Sequence, residues 1–433
     1  MYQQVNYVSA ATAISIIQSN QRVFIHGGAC TPHFLLQEMG RQKDRLQNVE
    51  LVCVSVQGNF LLANDAFASS FHVNSLFVSE PIREAVQAGR ADFVPIFLSD
   101  IPDLFKKTMV LDVAIVQVSP PDEHGYCTLG VSVDIARAAV SCARQVIALV
   151  NPQMPRTHGD GLVHTDRFSH MVYHEAPLIQ IDYAARTGEA ELKIGGYVAE
   201  LIDDGSTLQM GIGTIPDAVF KCLHNHKNLG VHTEMCSNGI VELIEKDVIN
   251  NTLKKIHPYK TVTGFAVGTS MLYQYVHNNP AFAFLDIDYV NDPHVIRRNP
   301  KVVAVNSAIE VDVTGQVCAD SIGIKQYSGI GGQMDFMRGA ALSEGGKPII
   351  ALTSRTHSGL PRIVPTLREG AGVVTTRGHV HYIITEYGTA FLYGQNLRQR
   401  ARALIDIAHP QDREALERQC AQRFTVFPCR FSS

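Results

Sequence analysis

The sequence lacks the charge excess and the long apolar runs that characterise two large classes of protein. Its 37 Lys and Arg residues are outnumbered by 41 Asp and Glu residues, which gives a formal net charge of −4. Without a basic excess, we expect neither nucleic acid nor an anionic membrane surface as a partner. No stretch approaches about 18 continuous apolar residues, so we expect no transmembrane helix and no membrane association.

The cysteines and the first residues of the chain show no secretory pattern. There are nine cysteines, an odd number, and no CxxC pair, which favours reduced thiols in the cytoplasm. The opening segment MYQQVNYVSAATAISIIQSN has no basic region and no uninterrupted apolar core. We therefore expect an ordinary helix capped near Ser9 rather than a signal peptide, and a cytoplasmic location.

Several catalytic and cofactor motifs are missing as well. The turn GIGTIP at 211–216 lacks the third glycine of a dinucleotide fingerprint, and Gly346-Lys347 is followed by Pro348 instead of the Ser or Thr of a phosphate-binding loop. The absence of GxSxG and HExxH argues against a serine hydrolase with a nucleophile elbow and against a zinc protease. We expect no metal, because the histidine pairs at 224/226 and 379/381 have no convincing third ligand.

Short apolar, β-branched runs alternate with helical patterns along the whole chain. A chain of 433 residues is longer than a single hydrophobic core usually accommodates, so we expect two large domains. The alternation predicts α/β domains with mostly parallel sheets. The predicted strands lie at 22–28, 49–58, 112–119, 145–151, 207–213, 302–308, 347–354 and 382–388.

Two pairs of segments suggest an internal duplication. VFIHGGACTP at 23–32 resembles TLQMGIGTIP at 207–216, with its proline offset by 184 residues, and a second pair at 114–125 and 304–315 is offset by 190. Chance similarity between two strand-turn-helix units is the alternative. A duplication would give two related domains, 1–187 and 188–433, joined by a linker near 185–198. Active sites of open α/β sheets lie at the carboxyl ends of strands, so we expect the site between the domains.

Glycine turns and one acidic residue are the candidate site features. Backbone N–H groups of the GIGTIP turn could bind a phosphate or an amide of a ligand. The segment SGIGGQMDFMRGA at 328–340 has glycines that permit either close approach of a ligand or a tight structural turn. Glu234 follows an apolar strand-like run, but a carboxylate there is commonly a solvated strand end or an ion-pair partner, and the same holds for Glu386.

Several longer motifs together resemble one known family. They are SPPDEHGYCTLG at 119–130, NPQMPRTHGD at 151–160, GVHTEMCSNG at 230–239, NSAIEVDVTGQV at 306–317, the 328–340 segment and ITEYG. In this order they resemble the acetyl-CoA hydrolase/transferase family, and within it most of all the 4-hydroxybutyrate and butyrate CoA-transferases. The resemblance covers nearly the whole chain and implies two α/β domains of the CoA-transferase type with the active site between them.

The resemblance also implies specific site residues. The nucleophile would be Glu234, and the CoA-contacting loop would be Gly211, Ile212, Gly213, Thr214 and Ile215. Further CoA contacts would fall at Ile309, Gly332 and Lys347, although Lys347 could equally be a solvated surface charge. Gly331 joins the set because backbone N–H groups of the Gly331-Gly332 turn are the candidate oxyanion hole. Asn238 and Cys236 depart from the residues that relatives often carry, which puts the acyl specificity in doubt.

The hypothesis that follows is a CoA-transferase acting on a short-chain acyl-CoA and a carboxylate acceptor through a glutamyl-CoA thioester. It requires CoA as a substrate and no prosthetic group, and relatives suggest a homodimer. Three alternatives remain open: an acyl-CoA hydrolase using the same intermediate, a non-catalytic CoA sensor, and an NAD-dependent dehydrogenase, which the missing third glycine disfavours. The acyl group and the acceptor stay undetermined.

Overall fold

The computed structural model describes residues 6–182 and 187–424. The strands of the first half are β1 Arg22–Ile25, β2 Val49–Val54, β3 Phe71–Phe77, β4 Ala91–Phe93, β5 Val113–Val118, β6 Tyr126–Thr128, β7 Gln145–Val150, β8 Leu162–His164 and β9 His170–Tyr173. Its α-helices are α1 Ala10–Ile14, α2 His33–Arg41, α3 Glu80–Gln87, α4 Ile101–Lys107 and α5 Ala136–Cys142. Short 3-10 helices span Lys43–Arg45, Leu61–Ala63, Asp65–Phe67, Leu98–Asp100 and Thr165–Arg167.

The second half repeats this alternation. Its strands are β10 Thr207–Met210, β11 Gly230–Cys236, β12 Thr261–Ala266, β13 Phe282–Phe284, β14 Val302–Asn306, β15 Glu310–Asp312, β16 Val317–Cys318, β17 Ser321–Ile322, β18 Lys325–Gln326, β19 Lys347–Ala351, β20 Ile363–Val364, β21 Tyr382–Thr385 and β22 Gly388–Phe391. Its α-helices are α6 Glu189–Glu200, α7 Thr214–Cys222, α8 Gly239–Glu245, α9 Ser270–Val276, α10 Ile287–Val290, α11 Pro293–Ile296, α12 Gln333–Leu342, α13 Leu397–Asp406 and α14 Pro410–Phe424.

Each half is built on one large sheet, and the two sheets share a topology. The first has the order β4-β3-β2-β1-β5-β7-β9, and the second has the order β13-β12-β11-β10-β14-β19-β21-β22. Neighbouring strands are parallel except for the antiparallel edge strand β22. In both sheets, the first four strands are added one after another toward one edge. The fifth strand then pairs with the first, and later strands extend the sheet toward the other edge. The fold class predicted from the sequence, two related α/β domains, is therefore confirmed.

All eight predicted strand runs form strands, and each ends one to four residues before the predicted limit. The residues beyond those ends form the turns at the carboxyl edges of the sheets. The predicted N-terminal helix is also present, because the Ser9 side chain accepts a hydrogen bond from the backbone N–H of Thr12 and caps α1.

The second pair of repeated segments forms the same turn in both halves. Asp122 and Asp312, offset by 190 residues, each accept hydrogen bonds through Oδ1 from the backbone N–H groups two and four residues later. Gly125 and Gly315 complete these turns with φ values of 80° and 91°, which glycine adopts without a steric cost. The similarity noticed in the sequence thus corresponds to a shared backbone conformation.

The predicted linker at 185–198 is wrong over most of its length, and residues 185–186 lie outside the described residues. Residues 189–200 form helix α6, which contains Gly195 and Gly196, while Gly188 is its N-cap. Gly195 is there for packing, since a Cβ at this position would lie 2.7 Å from the carbonyl oxygen of Ala218 in α7. Close helix contact, and not a flexible connection, explains this glycine. The domain boundary at 187/188 stays a prediction.

Backbone hydrogen bonds join the two halves at several places. The N–H of Ala266 in β12 donates to the carbonyl of Val131, and the N–H of Val133 donates to the carbonyl of Gly264. The N–H of Leu98 donates to the carbonyl of Gly331 at 3.1 Å. One hydrophobic core contains buried side chains from both halves, while two smaller cores each belong to one half. The halves therefore pack as one body around the cleft between their sheets.

Within residues 6–182 and 187–424, no helix has the length and apolar character needed to cross a bilayer. The same residues contain no cluster of three or more metal-ligating side chains.

The shared turn supports a prediction about stability. Replacing Asp312 by Ala leaves two backbone N–H groups without their acceptor, so the free energy of unfolding should fall by about 1–3 kcal/mol. Asp312→Asn should lose less, because the amide oxygen still accepts. Urea unfolding of both variants and of the wild-type protein tests this. Equal stability of Asp312→Ala and wild type would show that the turn does not need its side-chain acceptor.

Candidate active site

Glu234 lies near the carboxyl end of β11, inside the second sheet. The strand GVHTEMC is apolar and β-branched around this residue, and it pairs in parallel with β10 and β12. A strand in this position is buried on both faces. A carboxylate here is therefore surrounded by protein, although part of the Glu234 side chain is accessible from an internal cavity.

Two N–H donors reach the Glu234 carboxylate. The side-chain Nδ2 of Asn291, which follows α10, donates to Oε2 at 3.0 Å. The backbone N–H of Gly332, at the start of α12, lies beside the same carboxylate and lowers its pKa. Only glycine fits at this position, because a Cβ on residue 332 would overlap both Oε2 of Glu234 and Nδ2 of Asn291. The glycine turn is therefore needed for the backbone to approach the acid closely.

Burial raises the pKa of Glu234 to about 7, with the negative charge of Asp134 adding to the increase and the two N–H donors opposing it. A second acid lies close by on α12. The pKa of Asp335 is raised to about 8, first by burial and then by the charge of Glu234. Two neighbouring carboxyl groups with raised pKa values are typical of a functional site and not of a structural ion pair.

The cavity beside Glu234 has a volume of about 150 Å³ and is mostly apolar. Both halves contribute its walls, at the carboxyl ends of their strands. The lining residues are Gly28, Val54, Ser55, Phe77, Leu98 and Asp134 from the first half and Ile212, Glu234, Met235 and Phe265 from the second. The site thus lies between the two sheets, as expected, and it can enclose a small apolar group against the carboxylate.

The structure brings part of the predicted set together. Glu234 and Ile212 line the cavity, and Gly332 lies against the Glu234 carboxylate. The carbonyl of Gly331 accepts the hydrogen bond from Leu98 that joins this turn to the first half. Gly211 and Gly213 lie in the turn after β10, where a Cβ on either would meet nothing within 4 Å. Open space beside backbone N–H groups is what a bound ligand requires.

Three further predicted residues lie along the same edge of the second sheet. Thr214 and Ile215 are the first two residues of α7, directly after the glycine turn. Ile309 follows β14, and its N–H donates to the carbonyl of Cys318. All three residues therefore lie along the carboxyl edge of the second sheet, and none of them forms a hydrogen bond with Glu234.

Lys347 lies elsewhere. It is the first residue of β19, and its neighbour in the sheet is Val303, near the start of β14. Its Nζ donates to the carbonyl of Leu201 at 2.6 Å and to Asp203 at 3.0 Å. Strand starts form the edge opposite to the carboxyl ends, so the structure does not bring this lysine together with Glu234.

The sequence interpretation missed Asn291 and Asp335. Asn291 is completely buried, and nothing in the surrounding sequence DYVNDP marks it as an active-site residue. Asp335 could have been noticed, because it is an acid among the mostly apolar residues QMDFM and lies in the glycine-containing segment 328–340. The two departures noted beside the nucleophile, Asn238 and Cys236, are not among the residues that line the cavity. Asn238 instead exchanges two hydrogen bonds with Thr269.

Comparisons with known proteins identify similar chains over the whole length. Two family models match: the Acetyl-CoA hydrolase/transferase N-terminal domain over residues 2–186 and the Acetyl-CoA hydrolase/transferase C-terminal domain over residues 268–420.

Three individual proteins illustrate the similarity. The chain is 50% identical to a succinyl-CoA:acetate/propanoyl-CoA:succinate CoA transferase of Fasciola hepatica, over 95% of this chain and 87% of the relative. It is 46% identical to a 4-hydroxybutyrate coenzyme A transferase of Clostridium kluyveri, over 96% and 97%. The crystal structure of a 4-hydroxybutyrate CoA-transferase from Porphyromonas gingivalis superposes with a TM-score of 0.81 at 37% identity, over 96% of this chain and 98% of that one.

The raised pKa of Glu234 predicts how stability depends on pH. The folded protein binds this proton more tightly than the unfolded chain, so the resulting stabilisation is present below the ordinary pKa of 4.5 and is lost as the pH rises through about 7. Replacing Glu234 by Gln removes the buried charge. At pH 8 the variant should be more stable than the wild type by about 1–3 kcal/mol, and the difference should shrink at low pH.

Chemical unfolding at pH 8 and at pH 4 measures this difference. If Glu234→Gln is no more stable than the wild type at pH 8, the burial of an unfavourable charge at this position is refuted.

Proposed function

The chain belongs to the acetyl-CoA hydrolase/transferase family and is a CoA-transferase, and we propose that Glu234 is its covalent nucleophile. The observation that carries this proposal is a carboxylate in an apolar cavity, stabilised by two N–H groups in the described part of the chain. A carboxylate in water is a poor nucleophile because hydration stabilises it. In the cavity most of that hydration is lost, so attack on a thioester carbonyl becomes feasible.

The first step transfers the acyl group. An oxygen of ionised Glu234 attacks the carbonyl carbon of the acyl-CoA, the carbon–sulfur bond breaks, and CoA leaves as a thiolate. The product is a mixed anhydride between Glu234 and the acyl group. The mainly apolar walls, including Phe77 and Leu98, would surround the acyl chain and exclude water from the anhydride.

The second step transfers CoA to the enzyme. The thiolate attacks the glutamyl carbonyl carbon, and the acyl group departs as a free carboxylate with the bridging oxygen. The N–H groups of Asn291 and Gly332 already point at the Glu234 carboxylate, so they can stabilise the negative charge that develops on the glutamyl oxygen. An incoming carboxylate then reverses both steps, and atoms and charge balance over the cycle.

The CoA chain would extend from the cavity along the carboxyl edge of the second sheet. The turn Gly211–Gly213 and the first residues of α7 offer backbone N–H groups beside open space. Ile309 lies farther along the same edge. Lys347 is left out of this path because its ammonium group is engaged at the other edge.

The substrates we propose are a short-chain acyl-CoA, such as an acetyl, butyryl or 4-hydroxybutyryl thioester, and a carboxylate acceptor such as acetate. The small apolar cavity supports a short acyl group. Hydrolysis of the same intermediate is the competing outcome, and the tests below distinguish it. The homodimer and the cytoplasmic location expected from the sequence stay predictions, and sedimentation of the purified protein tests the first of them.

The nucleophile can be tested by mass. Incubation with butyryl-CoA and no acceptor should add one CoA to the protein, on the peptide that contains Glu234. Glu234→Gln keeps the shape of the side chain but cannot form the thioester, so it should show no adduct and no transfer. Glu200→Ala, at the exposed end of α6, is the control and should react normally.

Three results would require a different account. Transfer by Glu234→Gln at the wild-type rate, or an adduct on another peptide, would refute the nucleophile. Steady release of CoA that acetate does not affect would favour the hydrolase. Binding of acyl-CoA without adduct or release would indicate a sensor.

A second prediction concerns the glycine that approaches the nucleophile. Replacing Gly332 by Ala introduces a Cβ that overlaps the Glu234 carboxylate and displaces one of its two donors. The rate of transfer should fall about 100- to 1000-fold, which is the usual effect of losing one such donor.

Gly196→Ala is the matched control, because a Cβ at this position in α6 meets nothing within 4 Å. It should fold and react like the wild type. If Gly332→Ala does so too, close approach of the backbone to Glu234 is not required.

A further inference from the structure

A chain of polar contacts runs from the first half of the protein to the nucleophile. The Ser99 hydroxyl, from the 3-10 helix Leu98–Asp100, donates to Oδ1 of Asp335 at 3.0 Å. The other oxygen of Asp335, Oδ2, lies 3.5 Å from Nδ2 of Asn291. The same Nδ2 donates to Glu234 at 3.0 Å. We propose that Asp335 is a positioning residue, which orients the side-chain amide of Asn291 so that an N–H faces Glu234.

A side-chain amide such as that of Asn291 can adopt two orientations, which exchange its oxygen and its nitrogen. The two ends of an Asn side chain have nearly the same shape, so their orientation is decided by hydrogen-bond partners. Asn291 is completely buried, and its Oδ1 has no hydrogen-bond partner among the described residues. The N–H end has two hydrogens and faces two carboxyl groups. Asp335 therefore gives the second hydrogen an acceptor and opposes rotation of the amide.

The opposite orientation would place Oδ1 against both acids. Ionised Glu234 would then face an oxygen and lose its side-chain donor. Without Asp335, only Glu234 itself would oppose this rotation. Since the N–H of Asn291 is one of the two donors proposed to stabilise charge on the glutamyl oxygen, its orientation affects the chemical step. This inference rests on the proposed role of Glu234.

The charge of Glu234 also acts on Asp335. The two acids repel each other when both are ionised, and the raised pKa values, about 7 for Glu234 and about 8 for Asp335, favour a state with one shared proton. Glu234 can attack in the form in which that proton lies on Asp335, whose unprotonated oxygen can still accept from Asn291.

The other charged groups near the pair are few. Asp134 faces Glu234 from the first half, and Asp100 faces Asp335. On β11 itself, His232 is bonded to the carbonyl of Val290, and burial lowers its pKa to about 3. In the described part of the chain, no Lys, Arg or His side chain forms an ion pair with either acid of the Glu234–Asp335 pair.

The test compares two substitutions of Asp335 in the full-length protein. Asp335→Ala removes the acceptor, so kcat should fall about 10- to 100-fold, the scale of effects ascribed to positioning. KM for butyryl-CoA should stay near the wild-type value, because Asp335 does not line the cavity. Asp335→Asn keeps an acceptor oxygen but removes the charge. It should retain more of kcat than Asp335→Ala does, and the acid limb of its kcat/KM profile should stay in place, because burial and the charge of Asp134 raise the pKa of Glu234.

Two further variants separate this role from a structural one. Asp312→Asn alters a buried aspartate whose Oδ1 accepts hydrogen bonds within its own turn, and it should keep kcat near the wild-type value. Ser99→Ala removes a donor to Asp335 and should give a smaller loss of kcat than Asp335→Ala, which also covers the case that Asp335→Ala fails to fold. Equal losses of kcat in Asp335→Ala and Asp335→Asn, or wild-type kcat in both Asp335→Ala and Ser99→Ala, would overturn the proposal.

The CoA adduct keeps this result distinct from that of the proposed function. If the wild type forms the adduct on Glu234 and the Asp335 variants behave like it, only the positioning role fails. If the wild type forms no such adduct, the nucleophile assignment fails first.

Discussion

The Glu234 carboxylate is surrounded by protein and has two N–H groups in place of a hydration shell. The rest of the site follows from this constraint. The donors must reach the carboxylate from outside its own strand, so α10 ends at Asn291 and α12 begins with a glycine turn. Apolar side chains must exclude water, and half of them come from the other sheet. The acid is thus kept reactive by an environment that does not stabilise its charge well.

The repeated topology explains how one chain builds such a site. In each half the carboxyl ends of the strands form one edge of a sheet, and ligand sites of open α/β sheets lie at that edge. The first half contributes mainly side chains that line the cavity, such as Val54 and Phe77 at the ends of β2 and β3. The second supplies the acid and its donors. Hydrogen bonds such as Leu98 to Gly331 join these parts beside the cavity, so the nucleophile depends on contact between the halves.

Much of this arrangement could be predicted from the sequence, because strands and glycine turns are determined locally. Alternating apolar runs identified four strands in each large sheet, and the repeated Asp-x-x-Gly turn reflected a real structural repeat. Glu234 was reached only through the resemblance, since an isolated acid at a strand end has a simpler explanation. Asn291 could not be predicted, because its role depends on where α10 ends in space. That Lys347 lies at the edge opposite to Glu234 could not be predicted either, because a strand start and a strand end look alike without the sheet register.

Oxygen exchange tests the central claim most directly, because the proposed cycle moves an oxygen atom between the acceptor and the enzyme. When a carboxylate labelled with oxygen-18 attacks the glutamyl thioester, its bridging oxygen remains on Glu234 as the new acyl-CoA departs. Mass analysis of the Glu234 peptide after turnover with labelled acetate should therefore show incorporated label. A peptide that stays unlabelled while labelled acetate is converted to acetyl-CoA would contradict covalent catalysis by this residue.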